Sequence, residues 1–422
     1  MKPGFERVCV MGLGYIGLPT ASLIANRGFH VRGVDVNRET VETINRGGVH
    51  IVEPDLDILV RSAVGSGQLV ADTEPAPADV FIIAVPTPIC PSHGPDLTYV
   101  EQATRAIASH VAPGNLVILE STSPVGTTEK VAAWLSEERP DLRTPVATDG
   151  ASDTTPREAQ VFIAHCPERV LPGQILRELV DNDRVIGGID RASAERAREF
   201  YECFVSGEIV LTTARTAELC KLTENASRDV GIAFANELSL ICEKLGVNVW
   251  ELIGLANRHP RVNILRPGPG VGGHCIAVDP WFIVDSAPEE ARLIRTAREV
   301  NDGKPHHVVR SIVAAAARFR DPVIACLGLA FKANVDDLRE SPAVEIVKEL
   351  AERHAARVLV VEPHIRKLPA PLSALGVELV PLGAALEQAD VVALLVDHRV
   401  FASVDKEVLL RKVVIDTRGL WQ

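Results

Sequence analysis

A strand, a glycine-rich turn, a helix, a second strand and an acidic residue follow one another early in the chain, and this order constrains the fold more than any other feature. The apolar segment Arg7–Met11 runs directly into Gly12-Leu13-Gly14-Tyr15-Ile16-Gly17, and a second apolar segment, His30–Val34, ends at Asp35. Glycines in this setting occur where a dinucleotide lies over the first turn of a parallel sheet. The pattern therefore predicts a dinucleotide-binding α/β domain.

Each position of the glycine-rich turn has its own task in such a domain. Gly12 permits the tight turn, Gly14 lets the backbone approach a pyrophosphate, and Gly17 allows the helix to pack closely. The N-terminus of that helix then faces the phosphates. We expect cofactor contacts from these three glycines and from Tyr15 and Ile16 between them.

Asp35 distinguishes the two nicotinamide dinucleotides. A carboxylate at this place can accept both ribose hydroxyls and repels a 2′-phosphate, so NAD is predicted rather than NADP. Arg38 is the nearby cation that would favour the phosphate. We include Asp35 and Arg38 among the cofactor-binding positions.

Strands and helical patterns continue to alternate after this first unit. Val80–Val85 leads into Pro86-Thr87-Pro88, and Leu116–Leu119 leads into Glu120-Ser121-Thr122-Ser123-Pro124-Val125-Gly126. Helical patterns lie at about residues 99–111 and 127–136. The alternation predicts a doubly wound parallel sheet.

Ligands of such sheets lie beyond the carboxyl ends of the strands. Thr87, Thr122 and the turn Cys166-Pro167-Glu168-Arg169 all occupy such ends. The alternative interpretation is ordinary turn chemistry, which Thr and Pro also serve.

A long helix without proline is predicted over residues 216–244. An apolar stripe follows the helical repeat, and its members are Leu219, Ala226, Val230, Phe234 and Ile241.

Three polar residues of this helix, Lys221, Asn225 and Arg228, fall on the side opposite the stripe. An ammonium, an amide and a guanidinium on one face can hold an oxyanion or a diphosphate. The alternative is a face that is simply solvated.

The segment Pro267-Gly268-Pro269-Gly270-Val271-Gly272-Gly273 is too rich in Gly and Pro for a helix or a central strand. Cys275 follows it, with Asp279 four residues later. Such loops let a ligand approach the backbone closely, and a thiol there is a candidate nucleophile. The alternative is that the cysteine is a small core hydrophobe.

A second alternating region begins at Asp321, with strands at Val323–Leu327, Val358–Val361, Val391–Val396 and Val413–Ile415. It lacks the complete glycine fingerprint, which predicts a second nucleotide-type domain with a different ligand. Lys332, Arg339 and Arg418 are its candidate ligand-binding cations.

Composition excludes several classes of protein. The 422 residues are 46% hydrophobic, enough for two or three soluble domains, and the net charge of -12 argues against nucleic-acid binding. The 8 cysteines form no C-x-x-C pair, which predicts neither a disulfide framework nor a metal site and favours a reduced cytoplasmic compartment. We expect no signal peptide and no insertion into a membrane.

Taken together, these motifs resemble those of the UDP-glucose/GDP-mannose dehydrogenase family over almost the full length of the chain. The carrying residues are the Gly12 to Gly17 fingerprint, Glu120-Ser121-Thr122-Ser123-Pro124-Val125-Gly126, Lys221-Leu222-Thr223-Glu224-Asn225, Gly272-Gly273-His274-Cys275, Asp279, and Phe331-Lys332 with Asp336 and Arg339-Glu340-Ser341-Pro342.

The resemblance implies two doubly wound Rossmann-like domains joined by a central helical dimerisation domain with a long helix. The expected boundaries are 1–205 for an NAD-binding domain, 206–305 for the central domain with the Cys loop, and 306–422 for a UDP-binding domain. A homodimer is the expected assembly.

The resemblance also implies a four-electron oxidation of a sugar C6 alcohol to a carboxylate, with two NAD⁺ used in turn. Cys275 would trap the intermediate aldehyde as a thiohemiacetal, a second hydride loss would leave a thioester, and water would hydrolyse it.

By match to the family motifs, Lys221 and Asn225 would stabilise the oxyanions, and Lys221 would also transfer protons. Asp279, Glu168 and Thr122 would position or activate water, with their division of labour left open.

Substrate contacts are implied by the same match. Besides Lys221 and Asn225 they are Arg169, Val170, Arg228, His259, Arg261, Gly272, Phe331, Lys332 and Arg418. Arg339 matches a position on the NAD side. In a dimer His259 and Arg261 can serve a neighbouring active site; the alternative is a polar loop.

Three segments resemble the family members that act on UDP-N-acetyl-D-mannosamine, which predicts that substrate and a product for surface polysaccharides. They are Cys166-Pro167-Glu168-Arg169-Val170-Leu171-Pro172-Gly173, Asn257-Arg258-His259-Pro260-Arg261-Val262-Asn263 and Cys275-Ile276-Ala277-Val278-Asp279-Pro280-Trp281-Phe282.

Other readings remain. UDP-glucose and UDP-N-acetylglucosamine are alternative substrates, because pocket shape rather than the catalytic set decides the sugar. An NAD-binding regulator without turnover is a further alternative, against which the intact set Lys221, Asn225, Cys275 and Asp279 argues. Cys166 stands where other members often carry Asn, and we interpret it as a packed residue.

Overall fold

The structure, a computed structural model, describes residues 4–90, 92–146, 161–171, 173–273, 275–353 and 356–421. The chain divides into two compact units, residues 1–224 and 225–422. Two residues of the motifs quoted above, Pro172 and His274, lie outside the described residues.

The first unit is built on an eight-stranded sheet in the order β3-β2-β1-β4-β5-β6-β7-β8. Its strands are β1 (Arg7–Met11), β2 (His30–Val34), β3 (Leu69–Asp72), β4 (Val80–Ile83), β5 (Leu116–Leu119), β6 (Phe162–His165), β7 (Arg184–Gly188) and β8 (Ile209–Thr213). The first six have the order typical of dinucleotide-binding sheets. The sequence pattern thus located β1, β2 and β5 residue for residue.

One junction departs from the expected parallel sheet, because β6 and β7 pair antiparallel. A parallel neighbour needs a crossover that returns the chain to the starting end of the sheet. The connection after β6 contains a Pro-rich turn and only the short helix α6 (Ile175–Asp181), so β7 starts near the end of the sheet where β6 finished. β7 and β8 are again parallel.

Helices cover both faces of this sheet. Besides α6, the helices of the first unit are α1 (Gly17–Asn26), α2 (Arg38–Asn45), α3 (Leu56–Gly65), α4 (Thr98–Ala108), α5 (Thr127–Glu138) and α7 (Arg191–Tyr201). In β5, Leu116 and Ile118 face one apolar core, and Val117 and Leu119 face the other. Burial on both faces explains why these strands read as continuous apolar runs.

The long helix predicted at 216–244 is α8 (Ala214–Leu245), which begins in the first unit and ends in the second. Of the expected apolar stripe, Ala226 is buried within the described residues and Val230 is half-buried. Leu219, Phe234 and Ile241 are exposed by 42%, 54% and 44%, whereas Leu222 and Ala233 on the neighbouring side are buried. Large apolar side chains therefore remain exposed along this side of α8.

The second unit contains further helices followed by a five-stranded parallel sheet, ordered β11-β10-β9-β12-β13. The strands are β9 (Val323–Leu327), β10 (Arg357–Val361), β11 (Glu378–Leu379), β12 (Val391–Leu394) and β13 (Val413–Asp416). The helices are α9 (Val249–Ala256), α10 (Asp279–Ser286), α11 (Arg292–Ala316), α12 (Pro342–Glu352), α13 (Ala370–Ala374), α14 (Leu382–Gln388) and α15 (Lys406–Leu409), with a 3₁₀ turn at Arg399–Ser403.

The turn after β9 repeats the local geometry of the turn after β1. Gly328 has φ +94°, as Gly12 has +92°. Glu362, after β10, accepts the Leu329 N–H at 2.7 Å, much as Asp35 accepts that of Leu13 at 3.1 Å. Unlike the turn after β1, the turn after β9 is not followed directly by a helix. The chain has no regular structure from there until α12. The expected nucleotide-type domain with an incomplete fingerprint is what the structure shows.

A buried polar network ties α8 to α11 and to the Gly-rich segment. Arg298 contacts Asp229 at 2.6 Å, and Asn301 donates to the same carboxylate at 2.8 Å. Asn236 donates to Asn301 at 2.9 Å and accepts the Gly268 N–H at 2.8 Å. The Gly-rich segment therefore starts from a fixed point on α8.

Within the described residues, none of the helices is both long enough and apolar enough to cross a membrane.

Candidate functional site

The turn after β1 has the free space that a dinucleotide requires. A Cβ on Gly12 would lie 2.6 Å from the Ala84 carbonyl oxygen, and one on Gly17 would collide with the Gly12 carbonyl. A Cβ on Gly14 would meet no atom within 4 Å. Gly12 and Gly17 are thus needed by the fold, whereas Gly14 leaves room for a ligand, which fits the predicted pyrophosphate position.

Asp35 is fixed beside this turn by the backbone. Its carboxylate accepts the Leu13 N–H at 3.1 Å and the Asn37 N–H at 2.9 Å. Asn37 caps α2, and Arg38 is the exposed first residue of that helix. Tyr15 packs against the core and Ile16 is the residue before α1. All the predicted positions of this group therefore gather around one turn.

The next two strand ends are linked by a hydrogen bond. The Thr87 hydroxyl donates to the Thr122 carbonyl at 2.6 Å. The buried Ser121 hydroxyl donates to the Val85 carbonyl at 2.7 Å. This hydrogen bond uses the Thr87 hydroxyl to stabilise the fold. It involves only the backbone of Thr122, whose half-buried side chain lies at the same strand ends.

Glu168 is a buried carboxylate held by two donors. The Arg184 guanidinium contacts it at 2.6 Å, and the Arg169 N–H donates to it at 2.7 Å. The Arg169 side chain pairs with Glu224 at 2.7 Å, while Val170 packs against the core. Arg169 and Val170 therefore both make contacts that stabilise the fold.

Lys221 and Asn225 lie one turn apart on α8, as the sequence predicted. The Lys221 ammonium makes no hydrogen bond or ion pair among the described residues and is half-buried. Asn225 donates to Asp279 at 2.5 Å. An ammonium without an internal counterion next to a fixed amide suits stabilisation of a developing oxyanion.

The Asn225 hydrogen bond also places the candidate nucleophile. Asp279 is buried and is the first residue of α10, and Cys275 lies in the turn that leads into this helix. The Cys275 carbonyl accepts the Val278 and Asp279 N–H groups at 3.1 and 2.9 Å. The Cys275 side chain is exposed, so it is not a core hydrophobe. The nearby helix N-terminus favours negative charge.

The Gly-rich segment packs against the C-terminal residues expected to bind substrate. A Cβ on Gly272 would lie 2.5 Å from the Glu340 carbonyl, and one on Gly273 3.1 Å from the Phe331 ring. The Arg418 guanidinium lies against Gly268 and pairs with Asp397 at 2.9 Å. The structure thus brings Gly272, Phe331 and Arg418 to one segment of the second unit.

The remaining predicted positions lie on exposed surface: Arg228, His259, Arg261, Lys332 and Arg339. His259 accepts the Arg261 N–H at 3.3 Å in the loop after α9. Arg339 pairs with Asp337 at 2.6 Å. A ligand anion at Arg339 would have to displace that carboxylate.

The predicted catalytic residues fall in both units. Thr122, Glu168 and Lys221 belong to the first unit, and Asn225, Cys275 and Asp279 to the second. Sequence reasoning missed Arg184 and Asn236, which hold Glu168 and the Gly-rich segment. A lone Arg at the start of a strand and a lone Asn within a helix carry no sequence signal of such roles.

Cys166 is packed, as interpreted from the sequence. It is buried, and burial raises the pKa of its thiol to about 12. A thiol in that state is a poor nucleophile at neutral pH.

Glu362, His364 and His398 form a cluster with the spacing of a cation site. His398 is already satisfied, however, because one ring nitrogen accepts the Asn334 N–H at 2.9 Å and the other contacts Glu362 at 3.0 Å. Glu362 also accepts three backbone N–H groups. We interpret this cluster as the hydrogen-bond network that closes the turn after β9.

Comparisons with known proteins match three successive parts of the chain to domains of one family. Residues 6–205 match the NAD binding domain of the UDP-glucose/GDP-mannose dehydrogenase family, residues 215–303 its central domain, and residues 325–422 its UDP binding domain.

Individual relatives extend over the whole chain. The NDP-N-acetyl-D-galactosaminuronic acid dehydrogenase of Ralstonia nicotianae is 62% identical, covering 99% of this chain and 96% of that protein. The UDP-N-acetyl-D-mannosamine dehydrogenase of Escherichia coli is 57% identical, covering 99% and 100%. The structure of UDP-D-ManNAc dehydrogenase from Pyrococcus horikoshii has a TM-score of 0.86 at 39% identity, covering 99% and 96%.

A matched pair of glycine variants tests the dinucleotide turn. Gly14→Ala should leave the melting temperature close to that of the wild type but weaken NAD⁺ binding by about tenfold or more, about 1.4 kcal/mol, because the added methyl enters only ligand space. Gly17→Ala should lower both, because its methyl meets backbone. Calorimetric titration and thermal unfolding give the two readouts. Unchanged NAD⁺ affinity in Gly14→Ala would contradict the assignment.

Proposed function

The chain belongs to the UDP-glucose/GDP-mannose dehydrogenase family, and from this premise we propose that it oxidises C6 of UDP-N-acetyl-D-mannosamine to the carboxylate. It carries the family's NAD-binding and UDP-binding domains. Relatives named for this substrate are 57–59% identical over nearly the full chain, which supports the choice of sugar.

The observation that carries the proposal is the hydrogen bond from Asn225 to Asp279. It holds the start of α10, and with it the Cys275 turn, to the part of α8 that bears Asn225. Lys221 lies one turn away on the same helix. A nucleophilic thiol, an amide and an ammonium are the groups that oxidation of an aldehyde through a thioester requires.

The first oxidation converts the C6 alcohol to an aldehyde. Bound NAD⁺ supplies the hydride acceptor in each half-reaction. We assign to Lys221, as the neutral amine in the reactive complex, the acceptance of the hydroxyl proton; the ammonium so formed then stabilises, with Asn225, the oxygen as its charge develops. The Cys275 thiolate then adds to the aldehyde carbon, and the oxygen takes up a proton to give the thiohemiacetal.

The second oxidation and hydrolysis complete the reaction. The thiohemiacetal loses its C6 hydride and its hydroxyl proton passes to Lys221, which leaves a thioester on Cys275. Water then adds to the carbonyl carbon of this thioester. The C–S bond breaks, which releases the carboxylate and regenerates the thiol. We assign the orientation and deprotonation of this water to Glu168, Asp279 and Thr122.

Binding of the nucleotide sugar is assigned by the same family match. Gly272, Phe331 and Arg418 are supported by their position along the Gly-rich segment, and Lys332 by its exposed ammonium beside Phe331. We also assign Arg169, Val170, Arg228, His259 and Arg261 to the substrate, and Arg339 to the cofactor side.

A second candidate substrate is a nucleotide-linked N-acetyl-D-galactosamine. Two Ralstonia relatives, each 62% identical, are named for the corresponding uronic acid. Both candidate sugars carry an N-acetyl group at C2 and differ in configuration at C2 and C4. UDP-glucose, which lacks the amide, and UDP-N-acetylglucosamine remain the comparison substrates.

Comparing kcat/KM for the four UDP-sugars decides among these substrates. We expect UDP-N-acetylmannosamine to exceed each of the others by about tenfold or more, the discrimination that one correctly placed polar contact gives. Two NADH should form per sugar consumed. A higher kcat/KM with UDP-N-acetylgalactosamine would support the second candidate, and one NADH per sugar would contradict the four-electron reaction.

Replacing the nucleophile tests the thioester. Cys275→Ala should abolish formation of the uronic acid while UDP-sugar and NAD⁺ still bind, because the thiol is needed only for the second oxidation and hydrolysis. Cys90→Ala, at another exposed cysteine, is the matched control and should form acid as the wild type does. Acid formed at the wild-type rate by Cys275→Ala would contradict the mechanism.

We further propose that the protein is a homodimer formed through the apolar side chains exposed on α8 and α9. Phe234, Ile241, Leu245, Leu252 and Leu255 are exposed by 54%, 44%, 68%, 36% and 59%. Large apolar side chains exposed together on two consecutive helices are typical of obligate interfaces. A partner would also cover the stripe on α8 that the described chain leaves open.

Charges placed on this surface should separate the subunits. The double variant Phe234→Glu/Ile241→Glu is expected to sediment as a monomer, since two buried carboxylates without partners oppose association. Leu410→Glu changes an 85% exposed side chain on another part of the second unit and should leave the dimer intact. Sedimentation of the double variant as a dimer would contradict the proposed interface.

We also propose three domains, at residues 1–205, 206–305 and 306–422. The proposed location of the protein is the cytoplasm. The matched domain ranges support the division. The exposed Cys90 and Cys275 would stay reduced in that compartment, and the product would serve as a precursor of surface polysaccharide.

A further inference from the structure

Glu120 is a buried carboxyl that the proposed mechanism does not use. It follows β5, and because side chains alternate along a strand it points to the same face as Ile118. The Cys166 N–H donates to the Leu119 carbonyl at 3.1 Å, which puts Cys166 beside Glu120 at the adjacent strand end. Glu120 is 2% exposed, and neither of its oxygens has a hydrogen-bond partner of ordinary geometry among the described residues.

The neighbouring charged groups are already paired with each other. The Arg184 guanidinium contacts Glu168 at 2.6 Å and donates to the Leu179 carbonyl at 2.9 Å. Its centre lies 5.6 Å from the centroid of the Tyr201 ring. Glu168 accepts a further bond from the Arg169 N–H. Arg184, the buried cation of this cluster, is thus paired with Glu168 and not with Glu120.

A count of charge shows which group must stay neutral. Burial raises the pKa of Cys166 to about 12 and that of Tyr201 well above its ordinary value, so both keep their protons. With Arg184 positive, the buried cluster is neutral only if one of Glu120 and Glu168 is protonated. Glu168 has the guanidinium and a backbone N–H, whereas Glu120 has neither. An uncompensated charge at Glu120 would be expensive.

We propose that Glu120 is a positioning residue that retains its proton at neutral pH and so leaves Arg184 to hold Glu168 as the carboxylate for thioester hydrolysis. This inference rests on the proposed function, because it assigns Glu168 to the attacking water. Glu120 itself acts only through Arg184 and Glu168.

The burial of Glu120 and the charges around it determine the pH above which it loses its proton. Burial, followed by the charge of Glu168, raises the pKa of Glu120 to about 8, against the weaker opposing effects of Arg184 and the Thr20 hydroxyl on α1. Above that pH the proton passes to solvent and two carboxylates compete for one guanidinium. The hold on Glu168 then weakens, and turnover limited by hydrolysis should fall.

The same proton links folding to pH. The native state binds it more tightly than the unfolded chain, so the stabilising effect is complete below the ordinary pKa of Glu, about 4.5, and is lost as the pH rises towards about 8. In that window the ratio of folded to unfolded protein should fall by up to about tenfold per pH unit. Glu120→Gln, which keeps the shape without the proton, should lack this loss.

Infrared spectroscopy tests the proton directly and needs no substrate. Between about pH 6 and about pH 9.5 the wild type should lose the C=O stretch of one protonated carboxyl group, and Glu120→Gln should not. Glu407→Gln removes an exposed carboxyl group on α15 and should behave as the wild type. If Glu120→Gln does not fold, Glu120→Met serves for the same comparison. Equal spectra for wild type and variant would overturn the proposal.

The pH profile of turnover tests the positioning role. Relative to its own maximum, wild-type kcat should fall above about pH 8, by up to about tenfold per pH unit, whereas the variant should hold its plateau to about pH 9.5. An alkaline fall of the same midpoint in both proteins would overturn the role even with the expected spectra. Failure of the proposed function would appear differently, as no NADH from any UDP-sugar, and the infrared result would still decide whether Glu120 holds the proton.

Discussion

The hydrogen bond between Asn225 and Asp279 is the constraint on which the chemistry of the second unit depends. It joins the long helix α8 to the first residue of α10, and α10 is entered through the turn that carries Cys275. A nucleophile that serves two oxidation steps must stay within a fraction of an ångström of its productive position. Because the bond uses two groups that also belong to the proposed catalytic set, position and chemistry are coupled at one contact.

Buried ion pairs secure functional segments in each unit taken separately. In the second unit Asp229 and Arg298 lie in the network that fixes the start of the Gly-rich segment, and in the first Arg184 holds Glu168. Apolar packing would hold two segments together at less electrostatic cost. We interpret the ion pairs as devices that select one arrangement, since a shifted segment would leave a buried charge unpaired. Glu120, kept neutral, fits the same requirement for charge balance.

The sequence predicted those parts of the molecule that depend on local pattern. Strands buried on both faces appear as apolar runs, glycines mark the dinucleotide turn, and the length of α8 follows from the absence of proline. It did not predict the antiparallel β7, because strand direction depends on the path of the connection. The side of α8 that stays exposed depends on neighbours distant in sequence, as does the burial of Arg184, and neither has a local signal. The Cys275 loop was predictable because its composition excludes regular structure.

A covalent acyl group on Cys275 is the intermediate on which the proposed mechanism depends. Glu168→Gln should slow hydrolysis more than oxidation, so that acid-quenched turnover mixtures contain enzyme with one sugar-nucleotide acyl group, located by peptide mass spectrometry. This mass should be carried by the peptide containing Cys275 and should appear together with two NADH per enzyme. Two NADH formed with no adduct, or with the adduct on another cysteine, would contradict it.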